Sequence, residues 1–112
     1  MWKKINIENV EKIERCVGEF NIWMHNILPY GKMKIKVYED IDSTFTGCTD
    51  VKLKRKFDGE FEGAVGYGHS IEQALEDTVN WFQKMVEEDY PKDEYPNGLE
   101  EDFIECTDFA DF

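Results

Sequence analysis

The chain is predicted to be an α+β domain: an N-terminal helix, a three-stranded antiparallel β-meander, a C-terminal helix packed on the sheet, and an acidic C-terminal tail. Three observations predict it. Apolar residues over 71–86 recur at spacings of three and four behind a helix-start signal. Residues 32–67 alternate apolar and polar with period two. After residue 86 the charge turns sharply negative.

Residues 7–28 place Ile7, Val10, Ile13, Val17, Phe20, Met24 and Ile27 at helical spacing, with Trp23 and Leu28 widening the apolar face. Gly18 costs such a helix about 1 kcal/mol relative to alanine, so a bend is expected there. Pro29-Tyr30-Gly31 ends it. Lys32–Glu39 then alternates, with Met33, Ile35 and Val37 on one face of a strand and Lys32, Lys34 and Lys36 on the other. A second strand, Thr44–Phe57, sets Phe45, Val51, Leu53 and Phe57 against Cys48, Asp50, Lys52, Lys54 and Lys56. The third, Glu60–Tyr67, is expected to pair Phe57 with Phe61, Leu53 with Val65 and Val51 with Tyr67, because register follows the buried face. Five lysines, Lys34, Lys36, Lys52, Lys54 and Lys56, would then line the solvated face.

The C-terminal helix begins at Ser70, an N-cap residue, with Gln73 three positions on as the second half of a capping box. Its stripe is Ile71, Ala74, Leu75, Thr78, Phe82, Met85 and Val86. Beyond Glu88 the periodicity fails, and Pro91, Pro96 and Asn97-Gly98 punctuate a polar connection. Residues 1–90 are therefore predicted as one α-β-β-β-α domain and 91–112 as an acidic tail containing aromatics.

Size and composition narrow the function. A chain of 112 residues with 41% hydrophobic and 14% aromatic content can bury a core, which excludes a disordered polypeptide. The N-terminus lacks a signal-peptide pattern, and no apolar run approaches the roughly 20 residues a membrane span needs. The three cysteines, an odd number without paired spacing, predict reduced thiols and a cytoplasmic protein. The net charge is −12, unevenly placed: Glu87–Phe112 holds eleven acids and one base, whereas residues 1–86 hold 14 acids and 12 bases.

Catalytic chemistry finds little material. Only His25, His69, Ser43 and Ser70 are available beside the cysteines, and Ser70 is already explained as a cap. Nothing local lowers a thiol pKa, and no Cys-x-x-Cys or His-x-x-x-His spacing marks a metal. Residues 93–104 open like a calcium loop but place Tyr95 third and Ile104 twelfth, where oxygen ligands are required. The glycines at 63, 66 and 68 are not followed by the lysine of a phosphate loop. No catalytic, cofactor or metal site is expected.

Partner binding is the better-supported class. Carboxylates on a rigid scaffold reproduce the spacing and field of a phosphate backbone, and charge steers such a molecule to a basic surface. The residues assigned to that surface are Glu87, Glu88, Asp89, Asp93, Glu94, Glu100, Glu101, Asp102, Glu105, Asp108 and Asp111, with Phe103, Phe109 and Phe112 as apolar anchors. The expected partner is a basic protein, a nucleic-acid-handling enzyme or a toxin. The overall negative field disfavours direct binding of nucleic acid, although the lysine face has the chemistry for phosphates. A tail folded back over those lysines would neutralise both. Exposed strand edges also permit a homodimer.

Residues 66–78, GYGHSIEQALEDT, resemble the strand-to-helix signature of HicB-like antitoxins, in which a glycine-polar-Thr/Ser turn leads into a Glu-Glu-Ala-Leu helix. That resemblance implies a β-β-β-α core and a cognate toxin as partner. The chain departs from it by adding an N-terminal helix and by carrying an acidic tail where a DNA-binding module is often found. In size, acidity and architecture the chain is also similar to phage-encoded anti-CRISPR and other anti-defence inhibitors. This second resemblance implies a bacterial or phage setting and a non-enzymatic inhibitor that occupies a basic nucleic-acid site. The alternative it leaves is an antitoxin or immunity protein.

Overall fold

A four-stranded antiparallel meander, extended by one short strand, carries an α-helix on one face. The computed structural model describes residues 2–108 and 110–112. Strands β1 (Glu14–Trp23), β2 (Lys32–Asp40), β3 (Phe45–Lys54) and β4 (Phe61–Gly68) lie in the order β1-β2-β3-β4. Helix α1 (Ile71–Asp89) packs over β4 and β3, and β5 (Ile104–Cys106) pairs with β3 at Val51–Leu53. Phe82, Met33, Ile35, Leu53, Met85 and Val37 are fully buried between sheet and helix.

The predicted N-terminal helix is replaced by β1, so the meander has four strands and not three. Nine residues of β1 pair with β2, from Glu14↔Asp40 to Trp23↔Lys32. A bulge lies between Cys16↔Tyr38 and Gly18↔Val37, with Val17 the extra residue. It stretches the inward apolar spacing to 17, 20, 22, and the gap of three from Val17 to Phe20, followed by Met24 four residues on, imitates a helical stripe. Of the residues assigned to that stripe, Ile7 and Val10 are exposed in the irregular segment before β1.

The third predicted strand is present as β4, but its faces are exchanged. Lys54 pairs with Phe61, Leu53 with Glu62 and Cys48 with Val65. Ala64 and Gly66 therefore point into the core, while Phe61, Val65 and Tyr67 point outward. Close approach of the helix decides this. A Cβ at Gly66 would overlap the Thr78 main chain (2.7 Å from its Cα), and one at Gly68 would lie 2.7 Å from the Ala74 nitrogen. Large side chains on that face would hold α1 off the sheet. The β3–β4 connection is correspondingly longer than expected, with Arg55 N–H bonded to Glu60 O and Gly59, at φ +73°, bonded to Arg55 O.

Helix α1 starts as a capped helix should. Ser70 Oγ accepts from the Gln73 N–H at 3.1 Å, and Gln73 Oε1 accepts from His69 N–H at 2.9 Å. Ala74, Thr78, Phe82, Met85 and Val86 form its buried face, and Thr78 returns its hydroxyl to Ala74 O.

Residues 90–106 run back across the molecule and are fastened to it. Tyr90, Leu99 and Ile104 are core residues, and Leu99 N–H bonds to Ile27 O at 2.8 Å. Strands β2 and β3 diverge after Ile35↔Thr49, and β5 takes up the freed side of β3. Asp50 marks the parting: its carboxylate accepts from Lys34 N–H, and its carbonyl accepts from Thr107 N–H.

The far end of the sheet is tied by charge. Buried Glu39 accepts from Lys3 Nζ at 2.6 Å and from Arg15 at 3.3 Å. The Lys3 hydrogen bond holds its carboxyl below the usual glutamate range, outweighing burial, which pushes the other way. The resulting stability is present above the ordinary glutamate pKa and is lost as pH falls through the lowered value. Asp50, raised by burial, opposes that loss. Urea midpoints measured at pH 7 and pH 3 should therefore differ less in Glu39→Gln than in the parent chain. An equal or larger difference would show that Glu39 is not responsible for the acid limb.

Candidate functional site

The first part of the acid-rich segment, residues 87–102, lies beside the turns at one end of the sheet. Three features meet there: the C-terminus of α1 with the following connection, the 24–31 turn between β1 and β2, and the 55–60 turn between β3 and β4. Tyr30 OH donates to Glu101 Oε1 at 2.8 Å, joining the first turn to the connection. That bond raises the Tyr30 pKa, as does its approach to the Glu101 charge. The connection is pinned from below by stacked rings: Tyr90 and Phe103 lie 4.8 Å apart between centroids, and Tyr95 meets both edge-on. Lys56 seats its ammonium 4.4 Å from the Tyr95 ring and donates to its hydroxyl. The shared hydrogen bond raises the Lys56 pKa.

The assigned carboxylates divide into two groups. Glu88 and Asp89 are committed to Arg55, whose guanidinium reaches Asp89 at 2.8 Å, Glu62 at 2.9 Å and Glu88 at 3.2 Å. Burial alone would lower the arginine pKa, and the Asp89 and Glu62 carboxylates override it. Arg55 thereby binds the end of α1 to the root of the β3–β4 turn. Glu105 stands opposite Lys52 in the β5–β3 ladder. Glu87 is exposed on the last turn of α1, Asp93, Glu94, Glu100 and Asp102 are exposed on the fastened connection, and Glu101 shares the surface through Tyr30. Their positions are held by Tyr90, Leu99 and Ile104 beneath them.

The assigned aromatics are placed differently from one another. Phe103 is half-buried in the ring stack. Phe112 lies on the outer face of the sheet, 4.6 Å from Lys36 Nζ, and its carbonyl accepts from Tyr38 OH at 3.3 Å. The exposed Asp108 and Asp111 flank it. Phe109 lies outside the described residues. The chain's last turn thus covers part of the lysine face, where Lys34 also pairs with Glu19 at 3.5 Å.

Sequence reasoning missed the exposed aromatics at the acidic end. Phe57, at the tip of the β3–β4 turn, is 76% exposed and Tyr30 is 62% exposed. Periodicity places Phe57 on the apolar face of a strand and Tyr30 in the terminator of a helix. The usable signal was their company, since each stands among turn residues, Pro29-Tyr30-Gly31 and Phe57-Asp58-Gly59. Trp23 is also exposed, stacked on His25 and under Lys32.

Comparison with protein-family models, with curated proteins and with solved structures finds no match to this chain. The chemistry of the site is therefore read from its own groups. Burial pushes the Cys48 and Cys106 thiols up, away from the thiolate a nucleophile needs. His69 lies in the turn before α1, where its N–H serves Gln73. Among the described residues no three His, Cys, Asp or Glu side chains are arranged to hold a metal ion, and no helix is long and apolar enough to cross a membrane. A groove of about 380 Å³ runs beside the acidic end, with Ile27, Val86 and Tyr95 in its wall and Glu87 and Lys92 at its rim.

Proposed function

We propose that the protein is a non-enzymatic inhibitor of the anti-CRISPR or anti-defence type, acting in the cytoplasm of a bacterial host. It docks its acidic end on a basic nucleic-acid site of a partner protein. The observation that carries this reading is that the acid-rich connection is fastened to the core by Tyr90, Leu99 and Ile104, so the backbone bearing Asp93, Glu94, Glu100 and Asp102 is held beside Glu87 at the end of α1. A held backbone loses little freedom on binding, as phosphate mimicry requires. Charge supplies rate and orientation more than affinity, and Tyr30 and Phe57 are the side chains suited to anchor the complex.

The test is capture from bacterial lysate at low and high salt, comparing the parent chain with a variant carrying Asp93→Lys, Glu94→Lys, Glu100→Lys and Asp102→Lys. A nucleic-acid enzyme held by the parent, released by salt and lost at least tenfold by the variant is the expected result. A small basic toxin would instead select the antitoxin reading, which the strand-to-helix motif at 66–78 favours. Equal capture by both chains would remove the acidic end from the mechanism.

A further inference from the structure

The two edges of the sheet are built differently. At the β1 edge, Glu14, Arg15 and Glu19 and the bulge at Val17 supply the charges and distortion that keep an edge from pairing. Along the β4 edge the strand's charged residue, Glu62, is drawn back onto Arg55, and the extra residues of its register shift lie on β3, between Cys48 and Lys52. Ala64 N–H points toward β3, where Thr49 Oγ1 accepts it, and Tyr67 N–H points away from the sheet to Asp77. The residues presenting their main chain outward are therefore Phe61, Gly63, Val65 and Tyr67, with no charge and no proline among them. Phe61, Val65 and Tyr67 also expose their side chains on the outer face, Val65 at 41%.

The flank of α1 above this edge continues the pattern. Asp77 bonds to Tyr67 N–H and Glu88 to Arg55, so the row containing both overhangs β4. Trp81, one turn after Asp77, lies in that row and is 43% exposed, with Lys84 Nζ 5.4 Å from its ring. Helix and strand run in opposite directions, Gly68 against Ala74 and Gly66 against Thr78. Four helix residues, about 6 Å, thus match two strand residues, about 6.6 Å. Continued by one step, this places Ala64 beside Phe82 and the adjacent Trp81.

We propose that β4 is the interface for a second copy of this chain, paired antiparallel about a two-fold axis through Ala64. The pattern is self-complementary about that point. Phe61 faces Tyr67 of the other copy, whose N–H stays with Asp77 while its carbonyl is open to the Phe61 N–H; Gly63 faces Val65 in a full hydrogen-bonded pair, and the rings stack across the outer face. Ala64 meets its own copy at the narrow, non-hydrogen-bonded position, where a small side chain is needed. One strand pair falls short of the roughly 1,200 Å² a stable interface buries. The helices supply the rest: Trp81 meets Trp81 near the axis, and Asp77 on one side of it meets Lys84 of the second copy, an opposite-charge pair made twice. The sheet becomes continuous through eight meander strands, and the two acidic ends face opposite ways.

Light scattering during size exclusion tests this on the purified full-length chain. The expected mass is twice the 13.2 kDa of one chain. Val65→Lys, a change at an exposed position, should give the single-chain mass and still unfold in one cooperative transition, its dissociation constant raised at least tenfold and its midpoint lowered only by the association lost. Asp77→Lys makes positions 77 and 84 both basic, and Lys84→Asp makes both acidic, so each variant alone should be a monomer. An equimolar mixture should regain the doubled mass, because every cross-axis pair is then opposite in sign. A parent chain monomeric at millimolar concentration overturns the proposal. So does a dimer indifferent to Val65→Lys, and a mixture that stays at the single-chain mass overturns the two-fold arrangement.

Discussion

Deleting residues 99–112 should abolish cooperative folding. Leu99 and Ile104 are core residues, Phe103 stacks on buried Tyr90, and β5 satisfies the side of β3 that β2 leaves at Asp50. Burying one leucine or isoleucine contributes about 1.5–3 kcal/mol. Two such side chains and a ring come to about 5 kcal/mol, set against a whole-domain stability of about 5–15 kcal/mol. Thermal unfolding of the shortened chain should show no sharp transition, or one lowered by about 20 °C or more. A transition close to that of the parent would mean that these side chains contribute little, and that 1–98 is a domain in its own right. The charge pattern alone expects that second outcome, because it reads 91–112 as a solvated tail. The result also governs how binding is tested. A truncation that unfolds the chain says nothing about carboxylates, whereas reversing exposed charges leaves the core intact.

Local signals were legible and long-range ones were not. Helix α1 could be read because its cap and stripe are contained within twenty consecutive residues. Strand β2 could be read because strict alternation survives from Met33 to Val37. Strand β1 was hidden by its bulge and its flanks: Val17 stands three residues before Phe20, and Ile7, Val10 and Ile13 before the strand and Met24 and Ile27 after it continue the helical spacing. The faces of β4 were hidden for a different reason. Hydrophobic patterning assigns the large apolar side chains to the core, yet here the core face is Ala64 and Gly66 and the large residues face outward. The alternation of small residues through Gly63-Ala64-Val65-Gly66-Tyr67-Gly68 was the available sign that something packs close to this strand.

The acidic site was legible as a charge and not as a surface. Composition located eleven acids after residue 86, but which of them are free depends on Arg55, more than thirty residues earlier in the chain. Counting charge along the sequence cannot see that Glu88 and Asp89 are consumed by one guanidinium while Asp93 and Glu94 are not. Leu99 and Ile104 likewise read as part of the tail, since five neighbouring carboxylates outweigh them in any local window.

Gly66→Ala should be among the most damaging single changes in the protein, although it adds only a methyl group. The new carbon would overlap the Thr78 main chain, and backbone in mid-helix cannot turn aside as a side chain can. Overpacking that neighbours can absorb costs about 1–3 kcal/mol, and a rigid helix places this site at or above the upper figure. Relief requires α1 to lift, which opens the contacts of Phe82 and Met85 and tilts the flank that carries Trp81 and the terminus that carries Glu87. Gly63→Ala is the matched control. Its added carbon would meet nothing nearer than Thr49 Oγ1 at 3.4 Å, an ordinary contact, and replacing glycine in a strand reduces the freedom of the unfolded chain. Urea denaturation should therefore show a loss of about 3 kcal/mol or more at position 66 and a change within about 1 kcal/mol at position 63. Equal losses at the two positions would mean that α1 does not rest on the glycines of β4, and that its seating is set by the apolar residues of β2 and β3 alone.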